Sequence, residues 1–170
     1  VDRSMLDAPL ALIFLAAIAI GIVLELINWF FIDKLSLPPF IVTIGTQSLY
    51  KGFLLAFVGT TYITTMPKGM KKLAVTYAAS ISDANGIVSN LHFLVIVVAV
   101  MYILMHLMLK YTMFGRNIYA IGADTVAAQR AGINITKTRF LVFVIAGILA
   151  GIGGMFQGTL NRAAVPADLV

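Results

Sequence analysis

The chain is 170 residues long, 61% hydrophobic and 11% charged, with a formal net charge of +5 and a mean hydropathy of +0.99. Soluble domains carry about 45–50% apolar and about 25% charged residues, so a water-soluble globular domain is excluded and the chain belongs in a bilayer. It has no cysteine, which removes disulfides and thiolate metal sites, and its dispersed basic residues, with no soluble platform beside them, exclude nucleic-acid recognition.

The start at Val1 and the stop at Val170 after an unfinished polar stretch lead us to expect a piece of a longer polypeptide. The first apolar run, residues 10–32, is too long for a signal peptide and lacks a basic lead-in. A helix of about 20 apolar residues crosses the roughly 30 Å of bilayer hydrocarbon. By that measure residues 10–32 form a first span. Glu25 is the one carboxylate well inside a span, and an intramembrane ionisable group invites a functional reading. A proton relay, an interhelical bond and snorkelling to the headgroups are the candidate roles.

Residues 38–58 form a second span, opened by Pro38 and Pro39 and loosened inside by Gly45 and Gly52. Thr43, Thr46, Gln47 and Ser48 offer hydroxyl and amide groups that either meet a polar solute in a water-filled path or bond neighbouring helices. Lys51 lies close enough to the end to snorkel. Residues 59–90, with several threonines, Pro67, Lys68, Lys71, Lys72 and Asp83, read either as a solvated loop or as a landing surface for a partner with acidic patches. The third span is residues 91–109. His92 and His106 near its two ends would stand about 21 Å apart on a helix, too far to share a metal.

The most informative segment follows, a basic polar loop over residues 110–139. Its local chemistry predicts one short helix. Asp124 caps the start, residues 125–131 tolerate helix, and Gly132 takes the left-handed closing position. Val126, Ala127 and Ala131 give this helix an apolar surface, Gln129 and Arg130 give it polar reach, and Gly115 and Gly122 allow turns on the approach. Such a knob suits either a partner's groove or the lipid surface. Residues 140–160 form a fourth span, in which Gly147, Gly151, Gly154 and Gly158 share one face where a neighbouring backbone can come close. That face is either a static packing seam or a contact that slides during gating.

Cations set the orientation. Lys34, Lys110, Arg116, Arg130, Lys137 and Arg139 fall on one side, and Arg3, Lys68, Lys71, Lys72 and Arg162 on the other. The excess is narrow. Five of the first group crowd into one loop with only Asp124 as a counter-charge, which places that loop in the cytoplasm.

Two phrases carry a resemblance. The run FGRNIYAIGADTVAAQRAGI, with Phe114, Gly115, Arg116, Tyr119, Ala120, Ile121, Gly122, Ala127, Ala128, Gly132 and Ile133, resembles the coupling loop of permease subunits of binding-protein-dependent ABC importers, in the branch handling ribose, xylose, arabinose and galactosides. LPPFIVTIGTQSLYKG, from Leu37 to Gly52, is similar to a second phrase of that family. The chain departs from the pattern at Ala123 and Asp124, which replace a usual Gly-Asn, at Val126 in place of an acidic residue, and at Trp29 in place of glycine.

The resemblance implies an all-α fold: a polytopic transmembrane helix bundle, here a partial permease domain over residues 1–170 with about four spans and a short cytoplasmic coupling helix. It also implies a multi-pass protein of the bacterial inner membrane that imports simple sugars, with nucleosides or branched-chain amino acids as the alternative cargo. The implied partners are a second permease subunit, an extracytoplasmic solute-binding protein and an ABC ATPase subunit that holds the ATP and Mg²⁺. Gly115, Arg116, Gly122, Asp124, Ala127, Ala128, Arg130, Gly132 and Ile133 would form the ATPase-coupling site. The chain itself would be no enzyme and would bind no cofactor, and it has no G-x-x-x-x-G-K-[ST] phosphate loop. Two rival classes lack their signatures in this sequence. An intramembrane enzyme would need paired acid and base groups that are not found, and an ion-coupled secondary transporter would show inverted repeats that are not evident here.

Overall fold

The computed structural model of the chain describes residues 9–59, 67–82 and 88–161. Arg3, Arg162, Asp83 and the threonines between residues 60 and 66 lie outside the described residues, as do the side chains of Lys68 and Lys72. Among the described residues four helices are long and apolar enough to cross a membrane: Leu10–Lys34, Pro39–Val58, Phe93–Tyr111 and Ile135–Asn161. The described residues fall into two units, one drawn from residues 1–74 and 139–170, the other from residues 75–138.

In the first unit, α1 (Leu10–Trp29) starts after Pro9, whose backbone is extended, and ends in a π-helical turn, Phe30–Lys34. Ser36, at φ 53°, reverses the chain. Pro39 then opens α2 (Pro39–Val58) at a position where a missing N–H costs nothing, and Gly59, at φ 75°, closes it. A short helix, α3 (Lys68–Leu73), follows Pro67. Met70 of α3 and Met155 form the buried centre, with Leu10, Ile13, Phe14 and Ala17 packed around them. Phe14 meets Phe156 edge-on at 6.3 Å.

The last described helix runs through Ile135–Asn161, and its backbone approaches α1 closely at glycines. A Cβ on Gly147 would stand 2.6 Å from Ile22 Cα, and one on Gly151 would stand 2.6 Å from the Ala17 carbonyl oxygen. From the other side, a Cβ on Gly21 would strike the Gly147 carbonyl. Contacts this tight replace side-chain packing with backbone proximity, the device that membrane helices use where water supplies no driving force. The seam occupies only part of the glycine face. Nothing lies within 4 Å of a Cβ on Gly154 or Gly158.

The second unit begins with a two-stranded antiparallel ribbon, β1 (Tyr77–Ser82) and β2 (Val88–His92), in register from Ala79↔Leu91 to Ser82↔Val88 and irregular between Tyr77 and Ala79. The ribbon stands in the stretch expected as a solvated loop or landing surface, except for Leu91 and His92, which the apolar run assigns to the third span. It leads directly into α4 (Phe93–Tyr111). His92 caps that helix, its Nδ1 accepting from the Leu94 N–H at 3.3 Å, so the third span starts two residues later than the apolar run indicates.

Candidate functional site

The expected loop over residues 110–139 is largely helical. α4 continues through Tyr111, α5 occupies Met113–Ala123, α6 occupies Thr125–Arg130, and the final helix, α7, begins at Ile135. Each junction is one to four residues long, and a polar side chain fixes each one.

At the first junction the Thr112 hydroxyl donates to the Met108 carbonyl at 2.6 Å and accepts from the Gly115 N–H at 3.2 Å. One side chain thus closes α4 and opens α5. The elbow is so tight that a Cβ on Gly115 would overlap the Leu109 carbonyl. Gly115 and Gly122 are therefore not turn residues, because both lie inside α5. Gly115 is required by the close approach, whereas Gly122 has open space around it.

At the second junction Asp124 is extended, at φ −155° and ψ 111°. Its Oδ1 accepts from the N–H groups of Val126 at 2.8 Å and Ala127 at 3.1 Å, which satisfies donors that a helix start leaves free. The end of α6 is a Schellman closure. The Ile133 N–H donates to the Ala128 carbonyl at 3.1 Å and the Gly132 N–H to the Gln129 carbonyl at 3.0 Å, with Gly132 at φ 83°. Asn134 then caps α7, its side-chain oxygen accepting from the Lys137 N–H at 2.9 Å. α7 accordingly starts five residues before the apolar run at Phe140.

The faces of α6 are distinct. Ala128 is only 4% exposed, while Val126, Ala127, Gln129, Arg130 and Ala131 are exposed, Ile133 is half-buried and Arg116 is exposed. Of the two alanines in the recognition phrase, Ala127 presents itself outward and Ala128 anchors the helix. Thr112 and Asn134 are the residues that sequence reasoning passed over. The hydroxyl-x-x-Gly and Asn-x-x-Lys spacings that mark them as caps were the available signal.

The cation Arg139, counted above as part of a basic loop, is held by Asp33 at the end of α1, Nη1 to Oδ1 at 3.3 Å. The Asp33 side chain is 7% exposed and that of Arg139 41%. Nearby, the Trp29 ring meets Phe140 edge-on at 5.1 Å, and the Lys34 ammonium lies 5.9 Å from the Trp29 ring centroid.

Within the first unit a cleft of about 450 Å³ is lined by Gly21, Leu24, Glu25, Tyr50, Gly151 and Gly154, among others. Glu25 accepts from Asn28 Nδ2 at 3.3 Å, and the Tyr50 hydroxyl donates to the Leu24 carbonyl at 3.2 Å. Thr43, Thr46, Gln47 and Ser48 do not line this cleft. Instead the three hydroxyls donate to carbonyls of their own helix, Thr43 to Pro39, Thr46 to Val42 and Ser48 to Ile44, at 2.9–3.0 Å. Among the described residues no three His, Asp or Glu side chains could hold a metal ion together.

Comparison with known proteins follows the same lines. Residues 3–169 match the family model described as branched-chain amino acid transport system / permease component. The chain is 32% identical over 147 residues to the autoinducer 2 import system permease protein LsrC of Enterobacter sp. (strain 638), covering 86% of this chain and 39% of that protein. It is 31% identical over 157 residues to the galactose/methyl galactoside import permease protein MglC of Escherichia coli (strain K12), covering 91% of this chain and 45% of that protein. The chain thus spans less than half the length of these curated relatives. No solved structure matches it. A match over nearly the whole chain, four membrane-length helices and a capped helical element between the last two place this chain in the permease-component family of membrane transport systems.

Proposed function

We propose that the chain is part of the membrane-spanning permease subunit of an ATP-driven importer of simple sugars in the bacterial inner membrane, and that α6 is the element through which the ATPase acts on it. The observation that carries the coupling role is the construction of α6. Asp124 fixes one end, the Gly132 closure fixes the other, Ala128 turns inward, and Val126, Ala127, Gln129 and Arg130 point outward. A helix held at both ends moves as a unit when it is pushed. Only Ala131, Gly132, Ile133 and Asn134 intervene between α6 and the span α7, so few soft dihedrals absorb the displacement.

In this reading a separate ATPase chain holds ATP and Mg²⁺ and docks on α6, a solute-binding protein delivers the sugar on the opposite side, and a second permease subunit completes the path. The permease hydrolyses nothing and binds no cofactor. ATPase closure tilts the spans and switches access from outside to inside. The galactoside named for one group of relatives supports a sugar cargo, while the branched-chain amino acid description of the matched family supports a second reading in which the cargo is such an amino acid.

The test is uptake by cells that express the whole transporter and lack their own. The proposal expects ATP-dependent uptake of labelled galactose or a related sugar that Ala127→Trp abolishes while the protein still reaches the membrane. Uptake of leucine instead would move the cargo to the second reading. Uptake that survives loss of the ATPase but collapses with an ionophore would contradict the coupling role.

A further inference from the structure

A second pocket, of about 380 Å³, opens where α4 meets α5 and is lined by His106, Leu109, Lys110, Arg116 and Tyr119. Its volume is within the range of about 300–1,000 Å³ typical of ligand sites. Every charged residue in its lining is a cation. Neither Lys110 nor Arg116 has a carboxylate partner within 4.0 Å among the described residues, whereas Arg139 does. The Lys110 ammonium stands 5.3 Å from the Tyr111 ring centroid, a contact that takes up none of its hydrogen-bond donors.

We infer that this pocket binds the phosphate of an anionic phospholipid headgroup in the leaflet at that end of α4. The donor set fits a phosphodiester. Arg116, one Nη2–H of which meets the Met113 sulfur, offers its remaining guanidinium N–H groups to phosphate oxygens, Lys110 a mobile ammonium and His106 an imidazole nitrogen one helical turn deeper. The surroundings favour a lipid over a soluble anion. The exposed side chains of Leu104 and Leu107 continue down α4 below the pocket, offering a surface for acyl chains. The exposed rings of Tyr111 and Tyr119 flank it, as amphipathic aromatics do at the headgroup level. Basic pockets between helices at a membrane face recognise anionic headgroups through this combination. Bound there, the lipid would brace the Thr112 elbow from outside.

The test uses the full-length permease in phosphatidylcholine nanodiscs with a trace of spin-labelled phosphatidylglycerol, the motionally restricted fraction being read against a matched phosphatidylcholine label. The wild type should prefer phosphatidylglycerol. The double variant K110Q/R116Q, which changes only exposed side chains, should lower that preference about 10- to 30-fold. K137Q, an exposed cation outside the pocket, should leave it unchanged. Equal restriction of both labels in the wild type, or a preference that survives K110Q/R116Q, would overturn the assignment. So would displacement of the label by inorganic phosphate but not by chloride at equal ionic strength, which would mark a soluble-anion site. Cross-linking of Lys110 to an acidic residue of an ATPase subunit with no lipid label retained would also overturn it.

Discussion

Gly115→Ala isolates the elbow between α4 and α5. In an ordinary helix interior, glycine to alanine is favourable by about 1 kcal/mol. At Gly115 the added methyl instead meets backbone, with Leu109 Cα 2.6 Å away and the Leu109 carbonyl nearer still. Backbone cannot rotate aside as a side chain does, so α5 must move off α4, stretching both Thr112 hydrogen bonds. Overpacking of this kind costs about 1–3 kcal/mol, leaving a net loss of up to about 2 kcal/mol after the propensity gain. At about 2–4 °C per kcal/mol for a chain of this size, the melting temperature in detergent should fall by up to about 8 °C. Gly122→Ala in the same helix has nothing within 4 Å and should raise it by a few degrees at most. Thermal unfolding of the two variants, followed by size-exclusion recovery, compares them directly. Equal stability of Gly115→Ala and Gly122→Ala would refute the close-approach argument.

Further outcomes follow from the same geometry. Gly151→Leu should disrupt packing of α7 on α1, because its Cβ alone would stand 2.6 Å from the Ala17 carbonyl oxygen. An unchanged yield of monodisperse protein would count against that seam. Arg139→Gln leaves Asp33 buried without its cation and should lower stability by roughly 1–2 kcal/mol, less than for a fully buried pair because Arg139 is 41% exposed. Asp33→Asn added to it should recover most of the loss, and chemical denaturation of the single and double variants reads the difference. Asp124→Ala should cost about 0.5–2 kcal/mol and loosen α6, whereas Asp124→Asn keeps the cap. Hydrogen exchange at Val126 and Ala127 reports it.

The spans were legible because one physical quantity, apolar length against bilayer thickness, decides them, and the ends moved only where a cap intervened, at His92 and Asn134. The Asp124 cap and the Gly132 closure were also legible, since both act within a few residues of themselves. The rest depended on contacts that sequence spacing does not display. Gly115 looks like a turn residue until Leu109 folds back onto it, and Asp33 and Arg139 lie 106 positions apart. Ala127 and Ala128 differ only in which way they point. The sequence offers the hydroxyls of Thr43, Thr46 and Ser48 to a pathway or to neighbouring helices, and the structure has each donate one turn back on its own helix, the nearest acceptor in an apolar span. Glu25 and Tyr50, from different helices, meet at the cleft, which no sequence spacing displays.

The most direct measurement for the coupling role is site-specific disulfide or bifunctional cross-linking in the complete transporter, to which these 170 residues contribute no cysteine of their own. Ala127→Cys, on the outward face of α6, should be labelled from the cytoplasmic side and cross-link to the ATPase subunit with an efficiency that changes with bound nucleotide. Ala128→Cys, turned inward, should do neither efficiently. Labelling of Ala127→Cys from outside the cell, or its failure to reach the ATPase in any nucleotide state, would contradict the assignment of α6 as the coupling element.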